Sequence, residues 1–346
     1  MRRLEPKSES ASIRAAVIGV GAMGKQHARI YNDLPGVTLV GVADKNMQAA
    51  QEVARRYHTA AYAGFHDLLQ HEAPDLVSIV VPTRLHREVA LAAIERGVHV
   101  LVEKPIASTE DEGAEMIMHA HARGVKLAVG HVERFNPAVI ELKRRLALGE
   151  LGRVFQIHAR RLGPFPARVR DVGVVIDLAA HDLDIMWYLI GAEVTRIYAE
   201  TERRVHTEHE DLLSGLLRFA DGTVGVLDVN WLTPTKVREL AVTGERGMFL
   251  VNYLTQELYF YENETTVHGW DTLSILRGVE EGRTIRLRVE KKEPLRAELE
   301  AFVDAVVGNK ELPVTGEDGL RALRLAHQVV EAGREHKIVT LDTVQS

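Results

Sequence analysis

Near its start the chain carries an apolar run that ends in three closely spaced glycines. Residues 16–24 read Ala-Val-Ile-Gly-Val-Gly-Ala-Met-Gly, which places Gly19, Gly21 and Gly24 in the spacing G-x-G-x-x-G. A strand, a glycine turn and a helix in this order are typical of dinucleotide binding. The glycines allow a tight turn, close approach of the backbone to a pyrophosphate and close packing of helix on sheet. The free N–H groups and the positive dipole end of the helix favour phosphate. The predicted contacts are Gly19, Gly21, Ala22, Met23 and Gly24.

A carboxylate follows at the position where such folds bind a ribose. Asp44 ends the second predicted strand, twenty residues after Gly24. It can accept hydrogen bonds from the ribose diol and repels a 2′-phosphate, which favours NAD over NADP. Lys45 beside it weakens that preference, because a cation tolerates the additional phosphate. The sequence therefore predicts NAD as the cofactor, with NADP less favoured.

The composition excludes several other classes of protein. A formal net charge of −6 and a pI near 6.3 argue against a nucleic-acid or membrane-surface partner. The absence of cysteine excludes disulfides, thiolate zinc sites and cysteine nucleophiles. Residues 1–12 are polar, and no apolar run approaches the length of a membrane span. We therefore expect a mobile N-terminal extension over residues 1–12 and a cytoplasmic protein that acts on a small molecule.

Two textures along the 346 residues indicate two domains. Over residues 13–130, short Val/Ile-rich runs alternate with amphipathic helical patterns, which is typical of an α/β Rossmann domain with a doubly wound parallel sheet. Residues 131–346 read mainly as strands joined by turns, with a helix at Val175–Ile190. This second region is predicted to be an α+β substrate-binding domain with a large, mostly antiparallel open sheet.

The predicted sheets also suggest how the protein assembles. An open sheet needs its outer face covered, so we expect a homodimer or homotetramer through the second domain. The predicted strands of the first domain are Ile13–Ile18, Val37–Ala43, Leu76–Val80, His99–Val102 and Lys126–Val129.

Glu103, Lys104 and Pro105 follow the apolar run Val98–Val102, at the C-terminal end of a predicted strand. Parallel sheets bind their ligands at this end. Pro105 disfavours helical geometry at Lys104, so the lysine is held extended where the strand ends. An ammonium group there can donate to a substrate hydroxyl or to its developing alkoxide. An ordinary surface lysine is the alternative.

Asp177, His181 and Asp184 have the spacings i, i+4 and i+7, which place them on one face of the predicted helix. Histidine is the natural proton acceptor near neutral pH, and a carboxylate beside it orients the ring and stabilises its cation. Zinc is compatible with these residue types, but hydride chemistry with a lysine needs no Lewis acid. No metal is therefore predicted, and an ordinary exposed helix face is the alternative.

A second cluster has a metal-like composition. His206, His209 and Glu210 lie close together in the sequence but lack the apolar pattern of a buried segment. We interpret them as a surface turn.

A cationic segment precedes the predicted helix. Its proline-rich centre, Gly163-Pro164-Phe165-Pro166, is too irregular for a strand or a helix. Arginine is well suited to phosphate oxygens, so these side chains are predicted to line a cleft for an anionic substrate. Solvated arginines that pair with surface carboxylates are the alternative. The arginines concerned are Arg160, Arg161, Arg168 and Arg170, together with Arg134.

The glycine motif, Asp44, Glu103-Lys104-Pro105 and Asp177-x-x-x-His181-x-x-Asp184 occur in this order along most of the chain. In this combination the chain resembles the Gfo/Idh/MocA family of sugar and cyclitol oxidoreductases. The resemblance implies hydride transfer to NAD(P), with Lys104 as the active-site lysine and His181 as the proton acceptor, assisted by Asp177. It also implies a cofactor-side loop at Val81-Pro82-Thr83-x-x-His86. The cofactor contacts added in this way are Pro82, Thr83, His86, Glu103 and Lys104.

Within the family, residues 130–137 (Gly-His-Val-Glu-Arg-Phe-Asn-Pro) resemble members that act on nucleotide sugars. This implies oxidation of a secondary hydroxyl to a ketosugar, with the 3-hydroxyl of UDP-N-acetylglucosamine as the expected group. Three alternatives stay open: a dehydrogenase of a free sugar or inositol, an NADPH-dependent reductase of another carbonyl or imine, and a non-catalytic cofactor-sensing binding protein. The expected substrate contacts are Arg134, Phe135, Asn136, Arg160, Arg161, Asp177 and His181.

Overall fold

The structure, a computed structural model, describes residues 12–166, 172–206, 208–263 and 282–341. The chain divides into two compact units. The first unit comprises Met1–Val132 and Leu295–Leu323, and the second comprises Glu133–Pro294 and Arg324–Ser346. The helices, numbered in chain order, are α1 (Ala22–Asp33), α2 (Met47–Tyr57), α3 (Phe65–Glu72), α4 (His86–Ile94), α5 (Glu110–Arg123), α6 (Pro137–Ala147), α7 (Ala180–Ile190), α8 (Pro294–Val307) and α9 (Gly316–Glu335).

One segment lies elsewhere than the sequence analysis expected. Residues 131–346 were predicted to form a single domain, whereas Leu295–Leu323 packs with the first unit. The apolar side of α8 explains this placement, because Leu299 and Phe302 are buried in the same core as Tyr31. A break in the chain order of this kind has no signature in local periodicity.

The first unit contains a parallel sheet, and its strands pair in the order β3-β2-β1-β4-β5-β6. This confirms the Rossmann prediction, and each predicted strand is correct to within one residue at either end. The three-residue strand β3 was not predicted. The strands are β1 (Ile13–Ile18), β2 (Val37–Ala43), β3 (Ala60–Tyr62), β4 (Leu76–Ile79), β5 (His99–Glu103) and β6 (Leu127–Gly130).

The second unit is built on a wide sheet whose described strands pair in the order β14-β13-β12-β11-β7-β10-β9-β8-β15. All of these pairs are antiparallel except β7 with β10, so the predicted mostly antiparallel sheet is confirmed. The strands are β7 (Val154–Pro164), β8 (Val194–Glu202), β9 (Leu212–Phe219), β10 (Val224–Asn230), β11 (Leu232–Gly244), β12 (Gly247–Asn252), β13 (Glu257–Glu262), β14 (Thr284–Leu287) and β15 (Val339–Thr340).

Strict alternation along these strands gives the wide sheet one buried face and one open face. In β9, Leu213 and Leu217 are buried in the core of the second unit, while Leu216 between them is 50% exposed. The buried face packs against α7 through Leu183 and Met186, among other apolar side chains. This packing determines which side chains of α7 are buried. Within the described residues, no helix combines the length and apolar composition that a membrane crossing needs.

The predicted helix Val175–Ile190 begins with a π-helical turn, Val175–Ala179, before α7. Glu210 holds this start in place, because its carboxylate accepts a hydrogen bond from the Val175 N–H and its carbonyl accepts one from the Val174 N–H. Gly173 leaves room for this carboxylate, since a Cβ at that position would lie 2.0 Å from Glu210 Oε1 and the Glu210 side chain would have to move. Turns of this kind are frequent at functional sites.

Candidate active site

The three glycines of the first turn have different roles. A Cβ on Gly19 would lie 2.5 Å from the Val80 carbonyl oxygen, and one on Gly24 would lie 1.9 Å from the carbonyl oxygen of Gly19. Gly19 also has a φ of +91°, which side-chain-bearing residues rarely adopt. By contrast, a Cβ on Gly21 would meet nothing within 4 Å. The fold therefore requires Gly19 and Gly24, while Gly21 borders open space.

That open space fits a dinucleotide. Gly21 is the N-cap of α1 and provides no side-chain cap, and the first turn of α1 contains no acidic residue, so nothing there competes with an anion. Asp44 is held beside the turn: Oδ2 accepts a hydrogen bond from the Val20 N–H and Oδ1 one from the Asn46 N–H, each at 2.8 Å. Each carboxylate oxygen keeps lone-pair capacity for a ribose hydroxyl. These residues would hold the cofactor.

A buried polar chain lies behind Glu103, at the end of β5. His27 Nε2 lies 3.1 Å from Glu103 Oε1, and His27 Nδ1 lies 3.0 Å from Ser78 Oγ. The Tyr31 hydroxyl completes the chain, 2.9 Å from Ser78 Oγ. Glu103 Oε2 in turn accepts the backbone N–H of Lys104 at 3.3 Å. His27, on α1, thus orients Glu103, the residue before the proposed catalytic lysine.

The pKa shifts of Glu103 and Tyr31 indicate which atoms of this hydrogen-bonded series carry the protons. Burial by itself raises the pKa of Glu103, but the hydrogen bond from His27 and the charge of Lys104 outweigh it, so the pKa lies below its ordinary value. Because Glu103 is then ionised, His27 Nε2 donates to it and His27 Nδ1 accepts from Ser78. Burial raises the pKa of Tyr31, which keeps its hydroxyl proton for Ser78.

His86 lies between the loop that follows β4 and Pro105, the residue after Lys104. Its Nδ1 lies 2.9 Å from the Pro105 carbonyl oxygen and its Nε2 lies 2.9 Å from the Val81 carbonyl oxygen. The ring is 1% exposed, and burial lowers its pKa. The peptide bond Lys104–Pro105 is cis. The buried His86 therefore anchors the predicted cofactor loop at Val81. In the same loop, Pro82 is exposed and Thr83 is half-buried.

Asp177, His181 and Asp184, which were predicted to share one helix face, have different surroundings in the structure. Asp177 and His181 are half-buried, but Asp184 is only 3% exposed and pairs with Arg134. The guanidinium of Arg134 approaches this carboxylate with two nitrogens, at 2.8 and 2.5 Å. Asp184 and Arg134 therefore form a buried ion pair, which leaves Asp177 and His181 as the two members of the trio suited to proton transfer.

Arg160 and Arg161 point to opposite faces of the wide sheet. Arg161 is 4% exposed and forms a two-pronged pair with Asp182, at 2.8 and 3.0 Å, together with a third bond to Glu133 at 3.1 Å. Burial alone would lower the pKa of Arg161, but the charges of Asp182 and Glu133 raise it overall. Arg160 is 44% exposed, 3.3 Å from Glu239. The structure therefore does not bring these two neighbours to one ligand.

The other predicted substrate residues have mixed surroundings. Asn136 is buried and caps α6, accepting from the Ala138 N–H and donating to the Tyr253 carbonyl oxygen. Phe135 is half-buried. Arg168 and Arg170 lie outside the described residues. The roles of these residues toward substrate stay predictions.

The cluster around His206 was wrongly interpreted as a surface turn. His206 is 7% exposed and stacks on Trp231, and its Nδ1 accepts the N–H groups of Glu208 and His209. The fully buried carboxylate of Asp211 accepts three successive backbone N–H groups from residues 204–206. Among the described residues, no group of three or more His, Asp or Glu side chains has the arrangement of a metal site.

Sequence reasoning missed several groups near the predicted site residues. Two of them, His27 and Ser78, form the hydrogen bonds behind Glu103, and Glu133 bonds to Arg161. A fourth, Arg238 on β11, lies on the same face of the sheet as Arg161. His27 is the one with a sequence signal, since it lies three residues after Gly24 on the same helix. Arg238 has none, because its neighbours come from distant strands.

Comparison with known proteins identifies the family of this chain. A family model described as an oxidoreductase family with an NAD-binding Rossmann fold matches residues 13–131, and a Gfo/Idh/MocA C-terminal domain model matches residues 139–250. The chain is 32% identical to UDP-N-acetylglucosamine 3-dehydrogenase of Acidithiobacillus ferrooxidans, over 92% of this chain and 96% of that protein.

Two further similarities cover nearly the whole length. Myo-inositol 2-dehydrogenase of Thermotoga maritima is 26% identical over 96% of this chain and 99% of its own. A solved structure of the A. ferrooxidans UDP-N-acetylglucosamine 3-dehydrogenase superposes with a TM-score of 0.82 at 31% identity, covering 93% of this chain and 97% of that chain.

Proposed function

This chain belongs to the Gfo/Idh/MocA family of NAD-dependent dehydrogenases, and on that premise we propose that it oxidises the 3-hydroxyl of UDP-N-acetylglucosamine to the corresponding ketosugar. The observation that carries the proposal is the 32% identity, over nearly full length, to a UDP-N-acetylglucosamine 3-dehydrogenase. A second candidate, oxidation of an inositol or a free sugar, is supported by the similarity to myo-inositol 2-dehydrogenase.

The chain's own residues divide the work of the reaction. NAD, when bound at the turn of Gly19–Gly24 and at Asp44, supplies a nicotinamide that accepts the hydride. His181 removes the proton of the reacting hydroxyl, and Asp177, four residues earlier, orients the imidazole and stabilises its cation. Lys104 donates a hydrogen bond to the oxygen as it becomes an alkoxide.

The substrate is tested by following absorbance of the reduced cofactor. Purified protein is incubated with NAD and UDP-N-acetylglucosamine, myo-inositol or glucose, and the series is repeated with NADP. We expect the largest kcat/KM for UDP-N-acetylglucosamine with NAD. Faster turnover of myo-inositol or glucose would support the second candidate, and no turnover of any compound would favour a cofactor-sensing binding protein.

The catalytic roles are tested by Lys104→Met and His181→Ala. Each variant should reduce kcat by roughly a hundredfold to ten-thousandfold, as loss of a positioned acid–base group does. NAD affinity, measured by calorimetry, should remain within a fewfold of the wild-type value. The matched controls are Lys310→Met and His121→Ala, which change exposed side chains and should keep normal turnover. Near-normal kcat in either active-site variant would refute the role assigned to it.

A second copy of this chain is proposed to cover the open face of the wide sheet. Leu216 and Tyr198 are 50% and 37% exposed there, beside Ile338 at 62%. Apolar side chains grouped in this way mark an interaction surface. Light scattering of the wild type should give a dimer or tetramer, and Leu216→Lys should shift it toward the monomer. A monomeric wild type would overturn this proposal.

A further inference from the structure

Four arginines of the second unit differ in the carboxylates with which they pair. Arg134 pairs with Asp184, Arg161 pairs with Asp182 and Glu133, and Arg160 lies between Asp228 and Glu239. Arg238 forms no ion pair with any carboxylate in the described ranges. It is half-buried, so solvent does not fully replace that missing partner.

The position of Arg238 in the sheet makes this lack of a partner costly for the fold. Arg238 and Arg161 are directly opposite each other in the β11–β7 pairing, so their side chains share the buried face. Like charges placed in this way destabilise a sheet. The register of β11 also shifts between Leu232 and Val237, immediately before Arg238. Such irregularities re-aim side chains and are over-represented next to active sites.

The hydrogen bonds of Arg238 leave part of its guanidinium available. Its Nη1 donates to the carbonyl oxygens of Leu162, at 2.5 Å, and Val237, at 2.8 Å. These two bonds fix the plane of the group. Its Nε and Nη2 make no hydrogen bond to any residue that the structure describes. A fixed plane with two unused donors is the arrangement with which arginine binds a phosphate or a carboxylate.

Arg238 also lies close to the proposed proton-transfer pair. Burial and the charge of Arg161 lower its pKa, while the carboxylates of Asp182, Glu133 and Asp177 act in the opposite direction. A guanidinium stays protonated in either case. Arg161, directly opposite Arg238 in the strand pairing, forms an ion pair with Asp182, the residue that follows His181. An anion bound by Arg238 would therefore lie near the start of α7, the helix that carries His181.

We propose that Arg238 binds the phosphate oxygens attached to the sugar substrate, through Nε and Nη2, and so selects phosphorylated sugars over neutral ones. The inference rests on the proposed function and names the residue that recognises the anionic part of that substrate. It moves this role away from Arg160 and Arg161, which were predicted from sequence. The charge of Arg161 is compensated by two carboxylates, and Arg160 lies on the other face of the sheet.

The experiment compares wild type, Arg238→Gln and Arg238→Lys. KM and kcat are measured with UDP-N-acetylglucosamine, and affinity for UDP alone is measured by calorimetry in the presence of NAD. Arg238→Gln should raise the KM and the Kd for UDP by roughly 10- to 150-fold, as expected for lost charge-assisted hydrogen bonds, with kcat changed much less. Arg238→Lys keeps the charge but lacks the planar two-nitrogen geometry. Its KM and its Kd for UDP should therefore lie between those of wild type and Arg238→Gln.

Two controls isolate the effect. NAD affinity should be unchanged in Arg238→Gln, because that pyrophosphate has its own site. Arg246→Gln removes an exposed arginine of the same unit that donates only to a backbone carbonyl, that of Gly149, and it should leave every parameter unchanged. If Arg238→Gln fails to fold, Arg238→Lys provides the decisive comparison.

The outcomes separate this inference from the proposed function. If wild type oxidises UDP-N-acetylglucosamine and Arg238→Gln has a normal KM and UDP affinity, the inference alone is refuted. A loss of kcat with unchanged KM would also refute it, because that would indicate a role in orienting Asp177. If wild type binds UDP without oxidising the nucleotide sugar and Arg238→Gln loses UDP affinity, the proposed function fails and the inference stands. Wild type that neither binds UDP nor oxidises the nucleotide sugar would overturn both.

Discussion

In the first unit the main chain holds Asp44 and His86, whereas in the second unit carboxylate side chains hold two buried arginines. Asp44 is held by two backbone N–H groups, and His86 lies between two backbone carbonyls. Arg161 and Arg134 are instead held by carboxylates. A group held by the main chain depends on the course of a loop. A buried ion pair depends on its partner, and loss of either member leaves an uncompensated charge.

The largest expected effect tests the buried pairs. Arg161→Met should lower the free energy of unfolding by about 3–5 kcal/mol, because it leaves Asp182 and Glu133 as uncompensated carboxylates. The adjacent Arg160→Met is the matched control. It removes a partly exposed pair and should cost no more than about 1 kcal/mol. Denaturant unfolding measures both. Equal losses of unfolding free energy in the two variants would show that burial of Arg161 does not make its ion pairs more important for stability than those of Arg160.

The next effect tests the main-chain geometry of the first unit. Gly24→Ala should destabilise the protein by about 1–3 kcal/mol, because its Cβ meets the backbone of Gly19 and the turn must shift. Gly21→Ala should leave the melting temperature unchanged, since its Cβ meets open space. It should nevertheless weaken NAD binding roughly tenfold or more, because the pyrophosphate approaches that backbone. Normal NAD affinity in Gly21→Ala would place the cofactor elsewhere.

The smallest effect concerns acid sensitivity of the loops joined by His86. Burial lowers the pKa of His86 in the folded state below its usual value near 6.5. As pH falls below about 6.5, the unfolded chain takes up a proton before the folded protein does, so stability is lost as pH falls through the folded pKa. Between pH 7.5 and pH 5 the melting temperature should therefore fall less in His86→Gln than in wild type. Parallel profiles would show that His86 does not titrate in this way.

The regular elements of both units could be predicted because their signals are local. Strands β1 and β2 have the bounds that periodicity and glycine positions indicate. The glycine spacing likewise indicated the turn and its ligand class. The two-residue strand β15 was missed because its local signal is weak. Helix α6 was also missed, although Asn136 caps it, a proline stands in its first turn and arginines stand in its last. The π-helical turn before α7 was also missed, because Glu210, which holds it, lies 35 residues after Val175 in the chain.

What the sequence determined by itself is the set of features that depend on neighbouring residues: the alternation of elements, the turn at Gly19–Gly24, and the presence of Lys104 and His181 in recognisable motifs. What only the tertiary structure decided is which charges meet. Arg160 and Arg161 are adjacent in sequence but lie on opposite faces of a strand, and Arg161 meets Asp182 while Arg238, directly opposite, meets no described carboxylate. Local sterics act over a few residues, whereas pairing of buried charges depends on which distant strands and helices pack together.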